Sequence, residues 1–287
     1  MSITTAYVKA FGSNIQMLAQ QVGSRLRNTV TVESGVVGEK KFVDQVAKMT
    51  ATKKMSRIAP TPIVEPTFNR RMVTMYTWEH VPVYDTIYDL QKMLADPKSK
   101  LTMSAVAALG RALDGAVIEA ASAAALTGKE GTTSVALPSA SKIAVASAGL
   151  TIAKLLTARE KIRSAGTDES DPLFCVASEK QFTNLLGTTQ VTSADYNSVK
   201  ALVNGDIDTF LGFKFIHSEL LGLVTTSTRA VLAYAKSGIS LCVGKDINVD
   251  VSVRNDLSLA TQIYSSMTIG ASRLEEEKVV EIACLES

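Results

Sequence analysis

Apolar and polar positions change rhythm several times along this chain, and each rhythm predicts a different element. Over residues 2–28, Ile3, Tyr7, Ala10, Phe11, Ile15, Leu18, Ala19 and Val22 recur at helical spacing, which predicts an amphipathic helix weakened by Gly12 and Gly23. Such a helix either packs into the body or forms an N-terminal arm that docks on a neighbour. From Arg71 to Val81 the pattern alternates instead. Met72, Thr74, Tyr76, Trp78 and His80 share one side, and Val73, Met75 and Val81 share the other. Upstream, Pro60 and Pro62 exclude a helix and favour extended chain, and Pro66 and Pro82 lie in the same segment. Residues 48–83 therefore predict a long extended hairpin with large apolar groups on both faces. A lone hairpin is marginal in water. Its apolar surface needs a cover, supplied either by the same chain or by an adjacent copy.

Asp85 is placed to cap a short helix through Ala95, with Asp89 in its first turn and Asp96-Pro97 as its break. The strongest helical signal follows. From Thr102 to Leu126, apolar residues recur at Val106, Leu109, Leu113, Val117, Ala120 and Ala124, alanine is abundant, and Gly128 is a plausible stop. A helix of about 25 residues is roughly 37 Å long, so it needs a long, flat partner surface. After a Ser/Thr/Gly-rich connection over 127–149, Thr151 caps a predicted helix through Ala165, ended by Gly166. Its stripe is Ile152, Leu155, Leu156 and Ile162. Residues 172–177 predict a buried strand, and Ser178-Glu179-Lys180-Gln181 reads as a capping box opening a helix to Leu186. Strands are predicted at 211–217 and 229–235, and residues 247–287 are strand-rich. That tail is expected to form the sheet that the long helix crosses. Helices alternating with short strands, then a run of strands, make the fold class α+β with an α/β unit inside it.

Composition narrows the function. The chain has 287 residues, 46% hydrophobic and 20% charged, an ordinary globular profile. Its 30 basic and 28 acidic residues give a net charge of +2, without the basic excess of a protein that grips nucleic acid by its phosphates. Contact with DNA should be weak and non-specific. Cys175, Cys242 and Cys284 are far apart and odd in number, which suits buried free thiols in a reducing cytosol. The start lacks a signal-peptide pattern. No run approaches the roughly 20 apolar residues of a membrane span, so the protein is expected to stay in a cytoplasm until it meets a partner.

Chemistry leaves little trace. The stretch from Gly238 to Gly244-Lys245 has one residue too many for a phosphate loop, and Asp246 stands where a hydroxyl belongs. His80 and His217 lie in different segments. Cys175 sits in an apolar strand with no nearby cation, so its thiol should be inert. Asp168, Glu169 and Asp171, like Glu275, Glu276 and Glu277, read as solvated turns, the second set alternatively as the charged rim of a subunit contact. Catalytic, cofactor and metal residues are therefore expected to be none. The best candidates for contact between copies are the aromatics Phe68, Tyr76 and Trp78 and the arginines Arg57, Arg70 and Arg71.

Taken in order, these elements resemble the major capsid proteins of tailed bacteriophages, with the Hong Kong 97-type fold. The stretches that carry the likeness are GEKKFVDQ at 38–45, NRRMV at 69–73, VYDTIYDLQKMLADPKS at 83–99, ALGRALDGAVIEAA at 108–121, the run from 193 to 216, and GASRLEEEKVVEIAC at 270–284. The resemblance implies an N-terminal arm and the start of a peripheral domain over 1–47, and an extended loop over 48–83. It implies the peripheral domain with its spine helix over 84–140, an axial domain over 141–245, and a return to the peripheral sheet over 246–287. It implies a virion location after assembly in the host cytoplasm, self-association into pentamers and hexamers, a separate scaffolding protein, a portal and, as a further partner, a cement protein. Some relatives cross-link lysine to asparagine. Lys53, Lys54 and Asn255 are present here, but no motif joins them. The alternatives are an encapsulin-like compartment shell and an uncharacterised cytosolic α/β enzyme.

Overall fold

The computed structural model describes residues 20–58, 63–84, 98–187 and 209–286. The helix expected at 85–95 and the run 193–208 lie outside them, as does most of the N-terminal segment. Residues 20–26, which the amphipathic reading placed in a helix, are irregular and lead into a single 3-10 turn, Arg27–Thr29.

Three sheets organise the described residues. In the first, β1 (Thr31–Ser34) runs parallel to β14 (Ile239–Arg254), which pairs antiparallel with β15 (Ala260–Arg273). The other edge of β15 takes β4 (Tyr76–His80) and β5 (Val83–Tyr84). The long helix α1 (Lys98–Ser122) lies across this sheet. Leu109, Leu113 and Val117, at helical spacing, are buried with Leu241, Val243, Met267 and Ile269. Each such side chain contributes about 1.5–3 kcal/mol by leaving water. One stretch of α1, Lys100–Ser122, has the length and mean hydropathy (1.4) of a membrane span. That corrects the expectation that none comes close. Its apolarity is used in the core just described.

The helix keeps the predicted length but sits four residues earlier, ending at Ser122. Residues 125–127 form β6 (Ala125–Thr127) instead, which pairs with β7 (Thr133–Val135). Gly128, with φ +97°, makes the turn between those strands and is not the helix stop. The second sheet is four-stranded: β2 (Lys40–Val46), β3 (Phe68–Thr74), β6 and β7. Strands β2 and β3 form the expected hairpin, with Lys40 opposite Thr74 and Val46 opposite Phe68. Its arms therefore start at residue 40, not 48. The alternation read as one strand from Arg71 to Val81 is divided at Met75. That residue is buried with Val73 and Cys242, and its N–H donates to the Glu39 carbonyl at 2.8 Å. The chain passes there from the second sheet into β4 of the first.

The third sheet has seven strands, in the order β10 (Thr209–Phe210), β11 (Phe213–His217), β9 (Leu173–Ala177), β13 (Thr228–Ala235), β16 (Val279–Leu285) and β8 (Lys142–Ile143). A further strand, β12 (Leu223–Thr225), pairs with β13. Helix α2 (Ile152–Ser164) packs on one face, burying Leu155, Ala158 and Ile162 against Cys175, Val231 and Val280. Phe174 and Val176 face the other way, into the core shared with α1. Both faces of β9 are thus covered, which explains its unbroken apolar run. Thr151 caps α2 as predicted, its hydroxyl accepting from the Lys154 N–H. The capping box at 178–181 does not form. Ser178 gives helix α3 (Glu179–Leu186) no side-chain cap, because its hydroxyl donates to Glu286 at 3.0 Å, and Gln181 is buried and bonds Leu150 N–H and the Leu285 carbonyl. The final strand also departs from expectation. β16 belongs to the third sheet, registered against β13 from Thr228↔Leu285 to Tyr234↔Val279.

Candidate assembly surfaces

The β2–β3 hairpin ends in a long loop whose ends meet: the Ala47 N–H donates to the Thr67 carbonyl at 2.9 Å. Every described residue from Lys48 to Asn69 is exposed. The loop is not polar for all that. Met55 is 87% exposed, Ile63 92% and Phe68 65%. At its root the Lys48 ammonium donates to the Ala165 carbonyl at the C-terminal end of α2, a favourable place for a cation.

The six candidate contact residues fall into different settings. Arg57 lies in the exposed loop and Phe68 at its return. Tyr76 and Trp78, two apart on β4, are also exposed. They line a cavity of about 180 Å³ between β4, β15 and the C-terminal half of α1, floored by Ala116, Ala120 and Ala124. Arg70 and Arg71 are spent within the chain. Arg70 forks onto Asp44 across the hairpin (2.6 and 3.0 Å) and lies 5.3 Å from the Phe42 ring centre. That pair is exposed, and the guanidinium beside Asp44 holds its carboxyl below the usual range. Arg71, one residue on, points the opposite way. It is buried, its Nη2 donating to both Glu276 oxygens (2.5 and 2.6 Å) and its Nε to the Leu274 carbonyl (3.0 Å). Glu276, read from sequence as part of a solvated turn, is that arginine's partner. Arg71 thus fastens its own chain.

Sequence reasoning missed three further anchors. Asp114, buried within α1, accepts from Gln21 and Ser24 side chains and from the N–H groups of Arg25 (3.0 Å) and Leu26 (3.1 Å). One turn earlier, Gly110 lets that segment lie close: a Cβ there would come within 3.0 Å of Ser24 N. The two stand at i and i+4, a spacing that could have flagged one helix face. Arg273 is fully buried and donates to the Ala121 and Ala123 carbonyls at the end of α1 and to Val135. Burial pulls its guanidinium below the ordinary value. Lys154, also buried, donates to three carbonyls, Val145, Ala148 and Ala283 (2.7–2.9 Å).

Groups that could do chemistry are placed for structure. On the surface, His217 Nδ1 accepts from the Arg25 guanidinium at 2.9 Å and its Nε2–H donates to the Glu219 carboxylate at 3.0 Å. The three thiols are free and buried. Burial raises Cys175 and Cys242 and pushes Cys284 up to about 11, so none is a ready nucleophile. Among the described residues no cluster of His, Cys, Asp and Glu could hold a metal ion.

The fold just described is similar to that of several solved phage capsid structures. The capsid structure of cyanophage P-SCSP1u matches with a TM-score of 0.77 at 16% identity, over 100% of this chain and 95% of that one. The capsid of Ralstonia phage GP4 gives 0.77 at 10% identity, over 98% and 96%. Cyanophage Pam1 gives 0.76 at 12%, over 100% and 98%. The fold is therefore that of the Hong Kong 97 type. No curated protein is similar enough in sequence to match. Residues 3–286 match the family described as phage capsid protein, and the chain belongs to that family. It is a major capsid protein, a structural subunit of the phage head located in the virion, and the match does not favour the cargo-compartment alternative.

Proposed function

We propose that copies of this subunit associate as pentamers and hexamers that close an icosahedral head around the genome, each sending residues 48–67 onto an adjacent copy. The observation that carries this reading is the exposed loop: among the described residues from Lys48 to Asn69 every one is exposed, methionine, isoleucine, valine and phenylalanine included. Apolar surface of this kind is stable only when something covers it, and closed symmetry supplies an identical neighbour at a fixed place. Phe68, Tyr76 and Trp78 are the proposed anchors, with Arg57 the arginine free to meet a partner carboxylate. In this reading the α1 sheet is the peripheral domain and the seven-stranded sheet the axial domain, which gathers at capsomer centres. Scaffolding, portal and cement proteins are proposed partners by the resemblance, contact with packaged DNA is non-specific, and no membrane or catalytic role is proposed.

The test is a deletion drawn to spare the body. Met72, Val73 and Met75 are buried, so removal must stop short of β3. Joining Lys48 to Thr67 through a short turn removes 49–66 and keeps both strands. The expected product has an unchanged melting profile and circular dichroism but forms no shells under the electron microscope. Normal-sized particles from this variant would refute the loop's role.

A further inference from the structure

The hairpin that carries the exposed loop leaves the body beside a segment that joins the first sheet to the third; residues 236–238, from β13 to β14, join them a second time. Residues 273–278 run from the end of β15 directly into β16. Several elements converge on this connector. Arg273 reaches the end of α1 and β7. The Leu274 N–H donates to the Gly238 carbonyl at 2.8 Å, and the Ser141 hydroxyl to the Glu276 carbonyl at 3.1 Å. From the hairpin, Arg71 contributes three charge-assisted bonds, two to the Glu276 carboxylate and one to the Leu274 carbonyl. Both partners of the ion pair are largely buried, with side chains 10% and 18% exposed. A second tie runs in parallel, from Lys48 at the far end of β2 to the end of α2.

We infer that the Arg71–Glu276 pair is a positioning device for assembly: it fixes the direction in which the hairpin leaves the body, and it couples that direction to the connector between the two sheets. Three features support this. The guanidinium is held through two nitrogens, Nη2 on both Glu276 oxygens and Nε on the Leu274 carbonyl, so the contact sets an orientation and not merely a distance. Arg71 is central in its strand, opposite Val43 on one side and Thr127 on the other, so moving it moves the whole hairpin. Glu276 stands three residues before β16, which is hydrogen-bonded on both edges within the third sheet. A displacement of the hairpin is therefore passed into that sheet, next to its β8 edge, and is not lost in a loop. Arg70, facing outward, cannot do this, since its partner Asp44 belongs to the same hairpin. The use of this device in shell building rests on the loop reading above, whereas its existence does not.

Backbone hydrogen exchange on the purified, unassembled subunit separates the two. Glu276→Gln keeps the shape and removes the charge. The expected result is exchange about tenfold faster in residues 40–46 and 68–74, as for a locally opened unit, with β9 and β13 unchanged. The reversed pair Arg71→Glu with Glu276→Arg returns part of the protection. Arg71→Lys, which keeps the charge but loses the planar group that reaches Glu276 and the Leu274 carbonyl together, loosens the hairpin as well and serves should the glutamine variant fail to fold. Unchanged exchange in the hairpin, acceleration spread equally to β9 and β13, or a folded reversed pair that restores nothing would each overturn the inference. Shells of the same variants, imaged separately, should vary in size. That arm tests the loop reading, and the exchange result stands without it.

Discussion

Lys154 shows how much one side chain can hold. Its ammonium sits among the carbonyls of Val145, Ala148 and Ala283, joining the loop before α2 to β16. The loop needs that support, because Ala146 and Ser147 take left-handed backbone conformations (φ 45° and 49°) that residues with a Cβ seldom adopt. Burial lowers the lysine's proton affinity, yet the three carbonyls would be worse off without a donor. Lys154→Met should therefore cost about 2–4 kcal/mol, the range for orphaned buried acceptors and a lost charged donor. Urea unfolding of the subunit checks this. The sequence around Lys154 offered no hint of the role. The residue lies on a well-predicted amphipathic helix, and its partners come from a loop and from a strand 129 residues away. Long-range polar contacts leave no local period to read.

Elements were legible where one local signal acted alone. The Thr151 cap, the buried strand at 173–177 and the length of α1 all follow from capping chemistry, apolar runs and helical spacing. The reading failed where a tertiary partner competed for the same group. Gln181 had the right spacing for a capping box, but the buried Leu150 N–H and Leu285 carbonyl claimed its amide. Alanines 123–125 favour helix by propensity, but the chain leaves the helix after Ser122 and pairing of β6 with β3 and β7 takes it into a sheet from Ala125. Of the candidate contact residues, the aromatics are exposed as the loop reading needs, whereas alternation along β3 sent Arg71 inward. Helix α1 also carries the Gly110–Asp114 cradle for residues 21–26, which no pattern announced. Asp114→Ala would strand four donors, two of them backbone. The expected outcome is a loss of about 3 kcal/mol and new protease cleavage between residues 20 and 30, read by mass spectrometry of the fragments.

Across the whole molecule, the chain crosses between its sheets more often than a linear division into domains allows. The segment 141–245 contains β9, β11 and β13 but lacks β16, which lies between β13 and β8. Without it, β13 loses its partner along seven registered pairs, and Val280 and Ile282 vanish from the core beneath α2. A fragment of residues 141–245 should accordingly be unfolded by circular dichroism. A version with 274–286 joined through a flexible linker should regain the dispersed amide spectrum of a packed domain. The same closure has a practical side. Cys175, Cys242 and Cys284 are all shut inside strands, so the native subunit offers maleimides nothing to attack. A thiol placed at Thr52, on the bare finger, would be the sole reactive handle on the particle. A dye attached there would brighten or dim as copies come together, reporting in real time whether that finger finds a surface to rest on.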